Sequence, residues 1–340
     1  NEEAIIKQGQ EIPFTTVDSS GRTTVTFKEA VLSLTVTPHV TSDRRVSLKV
    51  KATDDTVGEQ ITFAGGFAFS FKRNEATSSL LIDDGSTDGT GEILDAIPDP
   101  RLRIVHRENR GVVATRNEAI GLATSPLVAF MDADDVALPD RLALQVAAMD
   151  ARPGLVLYGG QVELIDPVGR PLGPMPVPLD HDRIDAANMS GKHALWNPSL
   201  MIRAEALEQV GGFDPHYRSA EDLDLWLRLA EIGEIANGPE TVLRYRLHLQ
   251  SAGHSERGLQ RHFAWQAAKS AAARRGKAFD LAEPDRDGGP SRTDIHAKWG
   301  WWALRGGHLS TARHYALAAL RAEPLRRDRW RLAYCALRGR

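Results

Sequence analysis

The stretch SSLLIDDGSTDGT, Ser78 to Thr90, decides how the chain is to be read. A short apolar run climbs into two adjacent carboxylates, Asp83 and Asp84, and a Gly-Ser turn follows before the helix-prone TGEILDAI. A strand closed by turn residues and followed by a helical pattern is the opening of a βαβ unit, the element from which parallel sheets are built. Downstream the alternation repeats, with strands at SLLID, LRIVHR, PLVAFMD and GLVLYGG and helices at TGEILDAI, VVATRNEAIGLA and RLALQVAAMD. A strand at PSLMIR, a helix at AEALEQV, a turn at GGFD and a helix at AEDLDLWLRLAEIG continue it. Residues 160 to 195 read as a Pro/Gly-rich connection with PVGRPLGPMPVPLD at its heart.

Upstream of Ser78 the texture differs. Residues 1 to about 80 are dense in Thr, Val, Ser and Phe with period-two alternation, as in TTVTFKEAVLSLTVTPHV and RRVSLKVKATDD. The TSD between these runs can turn the chain, so a β-hairpin is predicted, with a short helical turn allowed only around Lys28 to Ala30. ITFAGGFAFSF is apolar, but only KRNEATS separates it from SLLID. A parallel crossover needs a dozen or more residues, so this segment cannot supply a βα unit ahead of SLLID.

Composition bounds the function. With 340 residues, 42% hydrophobic and 26% charged, the chain can bury a sizeable core, and a net charge of −3 carries no nucleic-acid footprint. One cysteine, Cys335, excludes an internal disulfide and a Cys-rich metal site. No apolar run approaches the ~18 residues of a membrane-spanning helix. The charge is uneven: from Trp301 to Arg340 there are nine Arg against Glu323 and Asp328 alone.

Three carboxylates crowd the end of PLVAFMDADD: Asp132, Asp134 and Asp135. Ligands in open α/β sheets bind beyond the carboxyl ends of strands, and a hard divalent cation relieves the repulsion between such acids while bridging to phosphates. Glu221 and Asp222 stand at the first turn of a helix whose Leu223, Leu225, Trp226, Leu227 and Leu229 supply a buried side. A carboxylate there is either a helix-start acid or a general base. YRLHLQSAGHS then presents Tyr245, Arg246, His248 and Ser251, with Arg246 or His248 available for a phosphate or a metal.

In this order, IDDGSTDGT, NRGVVATRNEAIGLA, FMDADD, GGF, AEDLDLWLRLAEIG and YRLH, the stretch from about 80 to 255 resembles the family 2 glycosyltransferases of the GT-A fold. The resemblance implies an α/β fold with a mostly parallel, GT-A-like sheet lacking its usual first βα unit, a strand that in the family lies inside the sheet. It further implies inverting transfer of a sugar from a nucleotide-sugar donor to an acceptor hydroxyl on a glycan, a lipid-linked glycan or another molecule, with Mn²⁺ or Mg²⁺ as cofactor. Position by position, Asp83 and Asp84 contact the nucleotide base, Asp84 foremost; Arg116 lies near the nucleotide; Asp132 and Asp134 bind the metal and diphosphate, with His248 as a further ligand. Asp222 is the base, with Glu221 beside it. LWNPS is expected to line the acceptor side.

The first eighty residues resemble a different family. GQEIPF, TVTFKEAVLSLTVTPHVT and RVSLKVKATDD are similar to the core domain of bacterial secretins, outer-membrane gate proteins that also place an LLVDDG-like strand where this chain has LLIDDG. The chain therefore reads as a chimera joined at that shared phrase, with a secretin-like β-rich segment over 1–79, a glycosyltransferase domain over 80–258 and a helical tail over 259–340. The competing function is a non-catalytic secretin fragment fused to a glycosyltransferase remnant. HLSTARHYALAALRAEP and RRDRWRLAYCALRG predict a helical hairpin, with Leu309, Ala312, Tyr315, Ala316, Leu317 and Leu320 on one face. That face either packs on the enzyme or, with its basic neighbours, meets an anionic membrane; the enzyme is expected to be cytoplasmic, and in the second case peripheral at the inner membrane. The secretin-like segment by resemblance belongs to the outer membrane.

Overall fold

A computed structural model describes residues 4–17, 23–40, 46–63, 66–75, 79–192, 194–249, 257–285 and 291–339, with side chains from residue 79 onward save that of 257. Ser251 lies outside the described residues. The chain forms two compact units, Asn1–Gly111 and Val112–Arg340.

The first unit begins with four antiparallel strands in sequential order, β1 (Ala4–Val17), β2 (Thr23–Val40), β3 (Val46–Phe63) and β4 (Gly66–Glu75). The predicted hairpin is β2 with β3, closing at Val40 opposite Val46. The helical turn allowed around Lys28 to Ala30 does not form. Those residues lie within β2, Lys28 opposite Ile12 and Ala30 opposite Gln10, because the ladder with β1 holds the backbone extended. ITFAGGFAFSF folds back on itself, Phe63 opposite Gly66, as an antiparallel pair and not a βα unit. Then β5 (Ser79–Asp83) and β6 (Leu102–His106) pair in parallel, with α1 (Thr90–Asp95) in the crossover.

The second unit is built on a six-stranded sheet in the order β7 (Leu127–Ala129), β11 (Met201–Arg203), β9 (Leu155–Ile165), β12 (Glu234–Arg246), β8 (Val136–Ala137), with β10 (Pro171–Met175) paired to β9. Its helices are α2 (Val112–Leu122), α3 (Arg141–Ala151), α4 (His181–Met189), α5 (Ala204–Val210), α6 (Glu221–Ile232), α7 (Arg257–Arg274), α8 (Arg292–Arg305), α9 (Leu309–Ala322) and α10 (Arg327–Arg338). The parallel expectation holds for β5 with β6 and for β9 with β12. It gives way elsewhere in the larger sheet, where β11 runs antiparallel to both neighbours and β8 and β10 run back along the edges. The stretch from 160 to 195 is likewise more ordered than its composition predicts. It holds the end of β9, then β10, then α4, which starts where Asp180 accepts from the Arg183 amide at 3.0 Å. β10 lies at the margin of the sheet, where proline is tolerated.

Among the described residues β5 pairs only with β6, and β7 only with β11, so each sheet ends at that strand with one row of backbone groups unpaired. No strand of a preceding βα unit stands in either sheet among the described residues.

Two large apolar cores take residues of β9, and a smaller cluster joins its Leu155 to Met149, Met201 and Ala236. The larger surrounds Trp226 and Phe213 and takes Leu223, Leu225, Leu227 and Leu229 of α6, all fully buried as their spacing predicts. Each such side chain contributes about 1.5–3 kcal/mol relative to exposure. The other joins Val162 and Leu164 of β9 and Leu172 of β10 to Trp299, Ala312, Tyr315 and Leu332 of the C-terminal helices. Of the α9 face singled out in the sequence, Ala312, Tyr315 and Ala316 are buried in that core while Leu317 is exposed, so the face packs on the enzyme.

Candidate active site

In the first unit, Asp83 and Asp84 close β5. Gly85 makes the turn after them at φ +80°, and a Cβ there would meet the Asn109 amide nitrogen at 2.8 Å, so the turn requires glycine. Asp83 accepts from the Ser86 amide at 2.9 Å and faces His106 Nδ1 at 3.1 Å, and hydrogen bonding by Ser86 and then His106 holds its carboxyl below the usual range. His106 reaches a second carboxylate, Asp95, through Nε2 at 3.0 Å, and the two partners raise the imidazole above its ordinary value. Asp84 accepts from Arg107 Nε, the Arg110 amide and the Gly111 amide, each at 2.9 Å, and so folds the 107–111 loop around itself.

In the second unit, β7 delivers the acidic run. Arg141 of α3 fixes the end of that strand from inside the core, donating to the Phe130 carbonyl at 2.7 Å and to Gln145 at 3.1 Å. Burial brings its guanidinium down to about 10, which leaves it charged at neutral pH. Asp135, only 7% exposed, accepts from the Arg246 amide at 2.8 Å; its Oδ2 is buried without a partner, and burial pushes the acid up to about 7.

Arg116 of α2 joins the rest. Its guanidinium donates to Glu221 at 2.6 Å, stands 3.5 Å from Asp132 and lies over the Phe213 ring at 5.4 Å. Burial raises both Asp132 and Glu221; Arg116 opposes the rise in each case, and the neighbouring charge of Asp222 adds to it. The GGF turn locks α2 to this corner, because Asn117 exchanges two 2.8 Å hydrogen bonds with the Phe213 backbone. Gly212, at φ +69°, leaves room for that amide, since a Cβ would sit 2.6 Å from Asn117 Oδ1. Asp222 accepts from the Leu223 amide at 2.8 Å. Ala220, which starts α6, has φ 59°, a left-handed conformation that costs an alanine about 1–2 kcal/mol and is held by the buried surroundings. Tyr245 registers the whole group: burial raises its hydroxyl, and Asp132, Asp135, Asp134 and Asp222 raise it further.

Asp134 meets His248 Nε2 at 3.1 Å. Arg246, expected to be free for a phosphate or metal, is instead used on the backbone: it donates to the carbonyls of Asp134 at 2.7 Å, Asp166 at 3.2 Å and Pro167 at 3.3 Å. Asp166 is itself fully buried and accepts from Tyr315 of α9 at 2.7 Å, which ties the tail to the acidic loop. Asn197–Ser199 of LWNPS forms a 3₁₀ turn, with the Trp196 ring 4.8 Å from that of Tyr245. The structure thus brings together Arg116, Asp132, Glu221 and Asp222, and pairs Asp134 with His248, while Asp83 and Asp84 belong to the other unit. Sequence reasoning missed the roles of Asn117, Asp166 and Tyr315: Asn117 and Tyr315 find their partners 96 and 149 residues away, and the turn that Asp166 caps through the Val168 and Arg170 amides does not announce the bond to Tyr315.

No three His, Cys, Asp or Glu side chains form a metal cage among the described residues. The donors present, Asp134 and His248 with Asp132 beside Arg116 and the orphaned Asp135 oxygen nearby in sequence, fit an oxygen-preferring cation that takes few protein ligands and completes its shell with phosphate and water.

The second unit is thus an α/β domain with an acidic loop at the end of a strand beside a part-buried Arg-carboxylate group. The family model "Glycosyl transferase family 2" matches residues 74–211, and that of "Bacterial type II and III secretion system protein" matches residues 1–88. The putative teichuronic acid biosynthesis glycosyltransferase TuaG of Bacillus subtilis is 32% identical over 197 residues, 56% of this chain and 72% of that protein. An uncharacterized glycosyltransferase of Haemophilus influenzae is 30% identical over 183 residues, 50% and 56% of the two chains. The fimbrial assembly protein PilQ of Pseudomonas aeruginosa is 41% identical over 86 residues, 25% of this chain and 12% of that one. The chain belongs to glycosyl transferase family 2, with a secretin-like segment joined ahead of it, and the two matches overlap over residues 74–88, which takes in SSLLIDDGSTD. It spans little more than half the length of several curated relatives, 56% and 57% in two of them.

Proposed function

We propose that the chain transfers a sugar from a nucleotide-sugar donor to the hydroxyl of a glycan or lipid-linked acceptor, with inversion at the anomeric carbon. The observation that carries this reading is Arg116, part-buried between Glu221 and Asp132, because it couples the candidate base corner to the acidic loop. Asp222 takes the proton of the acceptor hydroxyl as that oxygen bonds to the anomeric carbon, while the bond from that carbon to the diphosphate oxygen breaks and the nucleoside diphosphate leaves with the electron pair. One displacement with one base inverts the configuration and needs no second carboxylate as nucleophile. Glu221, held by Arg116, positions the start of α6 and leaves Asp222 to face the acceptor. Asp134, Asp132 and His248 would hold Mn²⁺ or Mg²⁺, which when bound supplies positive charge to the departing diphosphate. Asp83 and Asp84 shape the site for the nucleotide base. The helical tail keeps the enzyme peripheral at the inner membrane, on its cytoplasmic side.

The second reading is a glycosyltransferase remnant without turnover, favoured by the unpaired margins of β5 and β7. Hydrolysis and transfer assays with a panel of nucleotide sugars and Mn²⁺ separate the two. The enzyme reading expects turnover that Asp222→Asn and Asp134→Ala remove, and a thermal shift with nucleoside diphosphate and Mn²⁺. Neither turnover nor shift from the parent chain overturns it.

A further inference from the structure

The tail presents an outward face that the buried α9 residues do not account for. Helix α10 is oriented by Arg329, which is 3% exposed and donates to Glu323 at 2.7 Å, to Asp328 at 2.6 Å and to Asp294. With Arg329, Leu332 and Ala336 turned inward, the opposite side carries Trp330, Tyr334 and Leu337, exposed by 58%, 58% and 71%. Their spacing of four and three residues makes them one stripe. Leu325, in the turn just before the helix, is 94% exposed. Monomeric proteins rarely leave two aromatics and two leucines outward in so short a segment.

The charges beside the stripe have one sign. Asp294, Glu323 and Asp328 are taken up by Arg329 and Arg326. Arg327, Arg331 and Arg338 are exposed along the flank of the stripe, Arg331 against the Trp301 ring at 5.9 Å and Arg338 against Tyr334. Amphipathic rings seated at headgroup depth, leucines beneath them and arginines level with the phosphates are the chemistry of an interfacial helix on an anionic bilayer. Among the described residues no helix is long and apolar enough to cross a membrane, so the contact is with the surface.

We propose that α10 docks on anionic phospholipid through Trp330, Tyr334, Leu337 and Leu325, with Arg327, Arg331 and Arg338 on the lipid phosphates. This deepens the peripheral contact proposed above and is independent of turnover, so the two fail separately. The test is co-sedimentation of the full chain with vesicles of phosphatidylcholine, with and without one third phosphatidylglycerol, at low and at physiological salt. Binding is expected on the anionic vesicles and not on the neutral ones, weakening as salt rises. Arg327→Glu with Arg331→Glu lowers the partition by well over tenfold, since each lost charge costs about fivefold. Trp330→Ser with Tyr334→Ser and Leu337→Ser abolishes it, while an unchanged Tm shows that these exposed positions leave the fold intact. Equal sedimentation of parent and triple variant overturns the proposal, as does no sedimentation with either vesicle. A dimer that Trp330→Ser dissolves, in a chain that leaves vesicles unbound, assigns the face to a second copy and overturns it equally.

Discussion

Two acidic groups in this chain are built in opposite ways. Asp83 and Asp84, in the first unit, spend their oxygens on the amides and side chains of their own neighbourhood. Asp132, Asp135 and Glu221, in the second, are raised by burial, opposed only in part by the hydrogen bonds and charges of Arg116 and Arg246. A carboxylate satisfied by amides folds a loop; carboxylates crowded beside one another and short of partners store electrostatic cost that a cation or a transferred proton relieves. The difference sets a pair whose oxygens hold a loop against a group whose oxygens are open to chemistry, and mutations test it, the proposed base first.

Asp222→Asn carries the largest expected effect: kcat falls by about 10³, equivalent to ~4 kcal/mol of barrier, with the fold unchanged. An unaltered kcat places the base elsewhere. Asp134→Ala is expected to lower kcat/KM by about 10² and to remove the thermal shift produced by Mn²⁺ with nucleoside diphosphate. Retention of that shift breaks the division of labour between loop and base. Asp84→Ala works on the other side of the comparison. It removes the carboxylate that accepts from Arg107 and two loop amides and costs about 2–3 kcal/mol of stability, read as a lower urea midpoint, together with faster amide exchange across 107–111. Tyr315→Phe removes one buried hydrogen bond to Asp166 and costs about 1 kcal/mol; the same change tests whether the tail steadies the acidic loop through Arg246, as a rise in KM for Mn²⁺.

Much of this was legible in the chain. The strands at SLLID, LRIVHR, PLVAFMD, GLVLYGG and PSLMIR and the helices α1, α2, α3, α5 and α6 follow from period and turn residues, because each is short, regular and bounded by Gly, Pro or an acid. β10 and α4 were hidden by composition: PLGPM looks like a loop, and it forms a strand only because β9 offers an edge. HDRIDAANM has two buried residues, Ile184 and Asn188, and too few apolar positions to declare a helix. The motif carboxylates were legible as residue types; the fate of Arg246 was not, since its carbonyl partners sit 79 to 112 residues away and exist only once the β9–β10 turn has formed.

The smallest effect expected is one of pH, and it falls on the structural pair. His106 stands between Asp83 and Asp95 with both ring nitrogens engaged, so its folded-state pKa lies above the ordinary 6.5. A raised pKa means that the folded chain binds the proton more tightly. The contribution is fully present below about pH 6.5 and is lost as pH climbs through the raised value. Asp83 acts at the other end: its lowered pKa gives a contribution present above its ordinary 3.8 and lost as pH falls through the depressed one. The β5–β6 pair is therefore held best in the mildly acidic window between the two. Amide exchange of β5 and β6 is expected to quicken, beyond the intrinsic dependence on hydroxide, as pH rises from about 6.5 through the raised value. His106→Asn, which hydrogen-bonds without titrating, flattens that rise while leaving Asp222-dependent turnover where it was; an unflattened profile moves the titrating group away from the Asp83 strand.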